Sequence, residues 1–197
     1  MLSFLIYYGT GEGQTATVAD RIADVLRNRG HGATTVDAAV GLGDHDLESF
    51  DAVLVGASVH MGTHQSTVSE FVRTERESLA SRPTAFFQLS LASAVDDESA
   101  RADAAEYVDE FLEQTDWQPD RIGLFGGALR YSKYGFLKRL VMKRIAKGAT
   151  GDSDTSQDYE YTDWHEVEAF TADFAAFVEG RLDAPPDTDW TQDQNPA

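Results

Sequence analysis

A glycine-rich stretch near the start of the chain has the composition of an anion-binding loop. It reads Tyr8-Gly9-Thr10-Gly11-Glu12-Gly13-Gln14-Thr15, and it joins an apolar segment to a helix-like pattern. Hydroxyl groups and the first amides of a helix favour negative charge. Its glycines lack the spacing of a dinucleotide fingerprint, and no Gly-Lys-Ser/Thr triplet follows, so those two classes of site are excluded. Because no lysine is present to neutralise a triphosphate, the loop predicts a monophosphate site.

Two later loops have small, polar residues that let a backbone approach a flat ring. They are Ala57–His64 and Ser90–Ala94, and neither contains Phe, Tyr or Trp. His60 or Met61 is therefore the candidate to cover a ring face. His60 and His64 are four residues apart, which is a metal-ligand spacing, but no carboxylate or thiol lies beside them. We interpret both as surface-loop histidines and predict no metal site.

Apolar runs alternate along the chain with helix-like segments, as in α/β proteins. The predicted strands are Leu2–Tyr8, Ala33–Asp37, Ala52–Ala57, Thr84–Leu91 and Ile122–Phe125. The predicted helices are Thr15–Arg29, Gln65–Leu79, Glu98–Gln114 and Asp163–Arg181, the last with Thr162 as its N-cap. This order predicts a doubly wound, five-stranded parallel sheet of order 2-1-3-4-5. Ligands of such sheets bind at the carboxyl ends of the strands, where the three loops would meet.

Every lysine of the chain lies between Lys133 and Lys147. From Arg121 to Gly151 there are eight basic residues and no acidic one, whereas the rest of the chain has 8 basic against 34 acidic residues. This basic segment falls in a long connection between the fifth strand and the last helix. We therefore predict a single domain, residues 1–181, with an insertion at residues 130–151.

The insertion has the pattern of an interfacial helix, with an apolar stripe and basic residues mostly off it. We expect its membrane-facing residues to be Phe136, Leu137, Lys138, Leu140, Val141, Lys143 and Ile145. Two alternatives stay open. The segment docks on the chain's own acidic part, since residues 152–197 hold 13 acids and one base, or it binds a partner protein.

The formal net charge of −18 argues against nucleic acid as a partner. The acid excess, with few lysines, indicates a salt-rich source. With no cysteine there is neither a disulfide framework nor a thiolate site. No signal peptide or spanning segment is evident, so we expect a cytoplasmic protein, peripheral on the inner face of the cell membrane. Residues 182–197, rich in Asp, Pro and Gln, predict a disordered acidic tail.

Several segments together resemble one family. The Thr10-x-x-Gly13-Gln14-Thr15 pattern is similar to the phosphate loop of flavodoxins, which holds FMN. The segments Gly56–Ser58, Glu70–Val72, Trp117–Arg121, Gly126–Tyr131 and Tyr161–Trp164 resemble those of the flavodoxin-like, menaquinone-dependent protoporphyrinogen IX dehydrogenases. The resemblance runs to about Arg181.

The resemblance implies a flavodoxin-like fold, FMN, a porphyrinogen substrate and menaquinone or another quinone as acceptor in haem biosynthesis. Carried over by position, Thr10, Glu12, Gly13, Gln14 and Thr15 would surround the FMN phosphate. The other cofactor-binding candidates lie in the three loops and are Gly11, Ser58, His60, Met61, Gly62, Ser90, Leu91, Ala92 and Ser93. Arg130 and Tyr131 would bind substrate, the guanidinium of Arg130 gripping a propionate. No catalytic acid or base is identified, because the flavin carries the redox chemistry.

Two departures from the family concern the substrate. His60-Met61 stands where a basic residue and a tyrosine are expected, and Val95–Glu98 is acidic where basic residues are expected. A soluble flavodoxin-type electron carrier is the main alternative. An NAD(P)H-dependent quinone reductase and a flavin-free interaction module are two further ones.

Overall fold

The computed structural model describes residues 1–94, 98–129 and 158–183. Its strands are β1 Ser3–Gly9, β2 Gly32–Asp37, β3 Ala52–Ser58, β4 Thr84–Ser90, β5 Arg121–Gly126, β6 Ala128–Leu129 and β7 Tyr159–Glu160. Its helices are α1 Gln14–Asn28, α2 Ser66–Thr74, α3 Arg76–Ala80, α4 Glu98–Thr115 and α5 Trp164–Asp183.

The first five strands form one parallel sheet of order β2-β1-β3-β4-β5, which confirms the predicted topology. The three inner strands are almost continuously apolar because helices cover both of their faces. Alternate side chains of β1 pack into two hydrophobic cores, one on each face of the sheet. Phe4 and Ile6 pack with α1 and α5, whereas Leu5 and Tyr7 pack with α2 and α4.

Large buried side chains hold the helices against the sheet. On one face, Ile22 of α1 and Phe174 of α5 are fully buried. On the other, Phe86 of β4 stacks on Phe111 of α4 with ring centroids 4.7 Å apart. Burying one such side chain stabilises the fold by about 1.5–3 kcal/mol. These contacts hold the helices against the sheet whose strands end at the rim loops.

The predicted helix over residues 65–79 is in fact two helices. It breaks at Glu75, whose φ of −96° and ψ of 15° are not helical. Val68, Val72 and Leu79 are all buried, at spacings of four and seven residues. That spacing also fits an unbroken helix, so the apolar pattern does not show the break.

The predicted N-cap Thr162 is wrong, and Asp163 takes that role. Asp163 Oδ1 accepts the backbone N–H groups of His165 at 2.8 Å and Glu166 at 3.4 Å. The hydroxyl of Thr162 is engaged elsewhere, as described below. At the other end of α5, Leu182 and Asp183 are helical, although the sequence assigns them to the tail. Residues 184–197 of the predicted tail lie outside the described residues.

A short antiparallel pair, β6 with β7, was not predicted. Its four residues are too few to show an alternating pattern. The pair brings Leu129 opposite Tyr159, so the two ends of the long connection lie side by side. Within the described ranges, no helix combines the length and hydropathy needed to cross a bilayer.

Candidate functional site

Strand register brings the predicted loops to one edge of the sheet. Gly9 at the end of β1 lies opposite Ala57 of β3, and Ser58 lies opposite Leu89 of β4. Ser90 in turn pairs with Gly126, the last residue of β5. The loops after β1, β3 and β4 therefore meet at the carboxyl ends of the strands, where doubly wound sheets bind their ligands.

The first loop has the geometry of an anion site at a helix start. Gly13 has a φ of 98°, a left-handed conformation that glycine adopts without strain, and α1 begins at the next residue. The N–H of Gly13 donates to Thr10 Oγ1 at 2.9 Å. Since Thr10 only accepts in this bond, its hydroxyl proton remains available for another acceptor. Both features favour an anion placed against the first amides of α1.

Thr15 supplies the most direct test of whether a phosphate fits this loop. The residue is 1% exposed, and its Oγ1 has no hydrogen-bond partner among the described residues. A buried hydroxyl without a partner is costly in a native protein. A phosphate oxygen at the start of α1 is an acceptor of the kind that this hydroxyl needs. The residues present therefore fit a phosphate.

The second loop is a tight turn that separates His60 from Met61. His60 and Thr63 exchange backbone hydrogen bonds of 2.8 and 3.1 Å. Between them, Met61 and Gly62 have positive φ values of 51° and 81°, as in a two-residue hairpin turn. Met61 is 95% exposed, so this geometry directs it to solvent rather than onto the first loop.

His60 faces the first loop instead. Its Nε2 lies 3.5 Å from Glu12 Oε1, and a Cβ placed on Gly11 would meet its ring at 3.8 Å. His60 is 44% exposed at the side chain and Glu12 11%. The structure thus brings together four of the predicted cofactor residues across two loops: Gly11, Glu12, Gly13 and His60.

Sequence reasoning missed Gln65, which holds the end of β3. Its Oε1 accepts the N–H of Ser58 at 3.2 Å, and its Nε2 donates to Ser58 Oγ. This pair fixes Ser58 and the start of the second loop. A glutamine seven residues further on carries no sequence signal of that role.

The interpretation of His64 as a surface-loop residue is wrong. Its ring is partly buried between Phe86 and Phe111, and its Nε2 lies 2.8 Å from Oε1 of the fully buried Gln88. Burial lowers the pKa of His64. His64 therefore turns inward while His60 faces Glu12, and no metal-ligand cluster occurs among the described residues.

The third loop is closed by its own serines. Ser90 and Ser93 share a hydroxyl–hydroxyl bond of 2.8 Å, and the N–H of Ser93 donates to Ser90 Oγ at 3.0 Å. Ser90 is 4% exposed, whereas Leu91, Ala92 and Ser93 are half-buried. The loop therefore offers Leu91 and Ala92 to a neighbouring ligand, while one of its two serine hydroxyl protons is used within the loop.

Thr162 reaches the first loop from the start of α5. Its Oγ1 accepts the side-chain N–H of Gln14 at 2.9 Å and donates to the carbonyl of Gly126 at 2.8 Å. Thr162 belongs to the Tyr161–Trp164 segment that resembles the family, but no local pattern places it beside the glycine-rich loop.

The Trp117–Arg121 segment lies at the amino ends of the strands, opposite the candidate site, and has a structural role. Trp117 is 3% exposed and packs edge-on against Phe86. Asp120 accepts the backbone N–H of Thr84 at 2.8 Å and a side-chain N–H of Arg181 at 2.9 Å. This segment anchors β5 and α5 rather than the candidate site.

Several predicted site residues lie outside the described residues. They are the substrate-binding candidates Arg130 and Tyr131 and the insertion candidates Phe136, Leu137, Lys138, Leu140, Val141, Lys143 and Ile145. Val95, Asp96 and Asp97 of the acidic rim also lie outside them.

Comparison with known sequences gives a consistent result. Residues 5–156 match the sequence model of a family described as Flavodoxin domain. A protein of Escherichia coli (strain K12) named Protoporphyrinogen IX dehydrogenase (quinone) is 33% identical over 171 residues, which cover 87% of this chain and 93% of that protein. A protein of the same name from Leishmania major is 33% identical over 172 residues, covering 87% and 74%.

Comparison with solved structures supports the fold. A short-chain flavodoxin associated with a PDU bacterial microcompartment has a TM-score of 0.54 at 14% identity, covering 90% of this chain and 99% of its own. A flavodoxin from Pseudomonas aeruginosa has a TM-score of 0.53 at 16% identity, covering 91% and 100%. At these identities the likeness concerns the fold alone.

Proposed function

This chain belongs to the flavodoxin domain family and is a relative of protoporphyrinogen IX dehydrogenases, and from that membership we propose its function. It is an FMN-dependent oxidoreductase that converts protoporphyrinogen IX to protoporphyrin IX, with a quinone as electron acceptor. The observation that most supports FMN as the cofactor is the buried, unpartnered hydroxyl of Thr15 at the start of α1.

Each loop has its own task toward the cofactor. Thr10 and Thr15 hold the phosphate through their hydroxyl groups, together with the first amides of α1. The second and third loops, with His60 and Leu91, flank the ring. When bound, FMN supplies two-electron redox chemistry, and the protein binds, orients and shields it.

The substrate and acceptor sites remain proposals built on the insertion. Arg130 grips a substrate propionate bidentately, and the stripe that includes Leu137 and Leu140 lies on the membrane, where the quinone is dissolved. At ordinary ionic strength each basic residue near an anionic leaflet contributes about 1 kcal/mol. In about 1 M salt the screening length falls to about 3 Å, so apolar insertion then dominates.

Two measurements on the purified protein test this function. The first is uptake of FMN, which is measured through the quenching of FMN fluorescence. The second is formation of porphyrin from porphyrinogen under exclusion of oxygen, with and without a menaquinone analogue. Quinone-stimulated porphyrin formation is the expected result. FMN uptake without it would leave the flavodoxin-type electron carrier, and no FMN uptake would refute both flavin functions.

The β6–β7 pair allows a clean removal of the insertion. Because Leu129 lies opposite Tyr159, an Asn-Gly turn replacing residues 130–158 is a suitable two-residue connection. We expect this variant to bind FMN and to lose both liposome binding and quinone-linked turnover. If both activities persist, the membrane role of the insertion is wrong.

A further inference from the structure

A single hydroxyl joins the glycine-rich loop to the segment that follows the insertion. Thr162 Oγ1 accepts from Gln14 Nε2 at 2.9 Å and donates to Gly126 O at 2.8 Å. Gln14 is the first residue of α1 and is 5% exposed. Gly126 is the last residue of β5. The hydroxyl therefore uses its proton and a lone pair at the same time, each toward a different element.

The same residue sits where the insertion enters and leaves the domain. The N–H of Tyr161 donates to Gly127 O at 3.0 Å, and the N–H of Gly127 donates to Ser90 O at 3.0 Å. A Cβ on Gly126 would lie 2.3 Å from Tyr161 O, so this crossing is close-packed. A continuous run of hydrogen bonds thus extends from the third loop, through the base of the insertion, to α1.

We infer that Thr162 is the positioning residue that couples phosphate binding at the first loop to the base of the insertion. This inference rests on the proposed function, because it assigns a role to the loop that holds the FMN phosphate. Thr162 touches neither Thr10 nor Thr15 in a hydrogen bond. It acts through Gln14, by holding the first turn of α1 in place.

Coupling of this kind is reciprocal. If the Thr162 hydroxyl holds α1 for the phosphate, then the phosphate also steadies the contacts of Tyr161 and Gly127. Riboflavin has the same ring as FMN but no phosphate. It therefore separates an effect on the phosphate loop from an effect on the ring site.

The binding test compares FMN and riboflavin in four proteins. Thr162→Val keeps the shape of the side chain and removes the hydroxyl, whereas Thr162→Ser keeps the hydroxyl. Thr171→Val is the matched control, since Thr171 is a buried residue of α5 whose hydroxyl donates to Val167 O within the helix. Urea unfolding of each variant establishes that it is folded.

We expect Thr162→Val to weaken FMN binding roughly five- to twentyfold, the size expected for losing one or two hydrogen bonds. Riboflavin binding stays within about twofold, and Thr162→Ser restores FMN binding. Thr171→Val changes neither ligand's affinity. Equal losses for FMN and riboflavin would overturn the inference, because they would mean a general structural role.

Hydrogen exchange provides a second readout, first in the wild-type protein and then in Thr162→Val. In the wild-type protein, the Tyr161 amide should exchange more slowly with FMN bound than with riboflavin bound at equal saturation. In Thr162→Val that difference should vanish. Equal exchange with both ligands in the wild type would overturn the coupling while leaving FMN binding intact. Failure of the wild type to bind FMN would instead refute the proposed function together with this inference.

Discussion

The carboxylate of Glu12 and the imidazole of His60 meet across two loops, with Oε1 and Nε2 3.5 Å apart. Among the described residues of these two loops, this is the one contact between an acidic and a basic side chain. Glu12 is the more enclosed of the two, with 11% of its side chain exposed. A negative charge therefore lies within the loop proposed to hold a phosphate, with the ring of a histidine from the neighbouring loop beside it.

Glu12→Gln should raise the affinity for FMN about three- to tenfold at low ionic strength, since it removes a charge of the same sign as the phosphate. Riboflavin affinity should not change, and the gain should shrink in about 1 M salt. Glu113→Gln, on the exposed face of α4, is the control for overall charge. Weaker FMN binding by Glu12→Gln would contradict this and assign the carboxylate a direct ligand contact.

The buried ring of His64 makes stability depend on pH. Burial lowers the pKa of His64 in the folded state, so the unfolded chain binds its proton first as the pH falls below about 6.5. Folding stability is then lost with decreasing pH in that window, because the unfolded state binds more protons.

Urea unfolding at about pH 7 and pH 5 measures this effect. Wild type should lose more free energy of unfolding between the two pH values than His64→Gln does. His165→Gln, at an exposed position of α5, should behave like wild type. Identical pH dependence in wild type and His64→Gln would show that another group is responsible.

Gly126→Ala should destabilise the fold by about 1–3 kcal/mol, as overpacking does. Its new Cβ would lie 2.3 Å from the backbone oxygen of Tyr161, which can move only with the chain. Gly180→Ala is the matched control, because nothing lies within 4 Å of its Cβ position in α5. It should be neutral or stabilising by up to about 1 kcal/mol. Equal unfolding free energies for the two variants would mean that the Gly126 crossing is loosely packed.

Salt should stabilise this protein against urea. With a formal net charge of −18, repulsion between like charges opposes compaction and is screened by ions. The unfolding midpoint should rise between about 0.1 M and about 2 M KCl. Sucrose at matched osmolality controls for solute exclusion. An unfolding free energy that is high in dilute buffer and independent of KCl would contradict the inferred salt-rich source.

The fold could be predicted from the sequence because local patterns specify it, and the structure confirms the prediction. The apolar runs of β1, β3 and β4 and the spaced apolar positions of α1 specify strands and helices without knowledge of partners. Right-handed connections between parallel strands then leave few sheet orders. The glycines and hydroxyls of the first loop are likewise adjacent in the sequence and precede α1 directly.

The contacts between loops needed the tertiary structure. Sequence spacing could not show that His64 turns toward Gln88 while His60, four residues earlier, faces Glu12. The hairpin turn at Met61 and Gly62 sets the different directions of the two histidines. Nor does any local rule join Gln14 to Thr162, which are 148 residues apart.

The sequence by itself therefore determined the strands, their order through the rule for connecting parallel strands, and a glycine-rich loop at a helix start, since each follows from local patterns. The tertiary structure alone decided which side chains face that loop. Hydrogen bonds such as Gln14–Thr162 and Thr162–Gly126 depend on a register set by packing across the whole sheet. Periodicity records which side of a helix or strand is buried, but not which atom of a distant residue it meets.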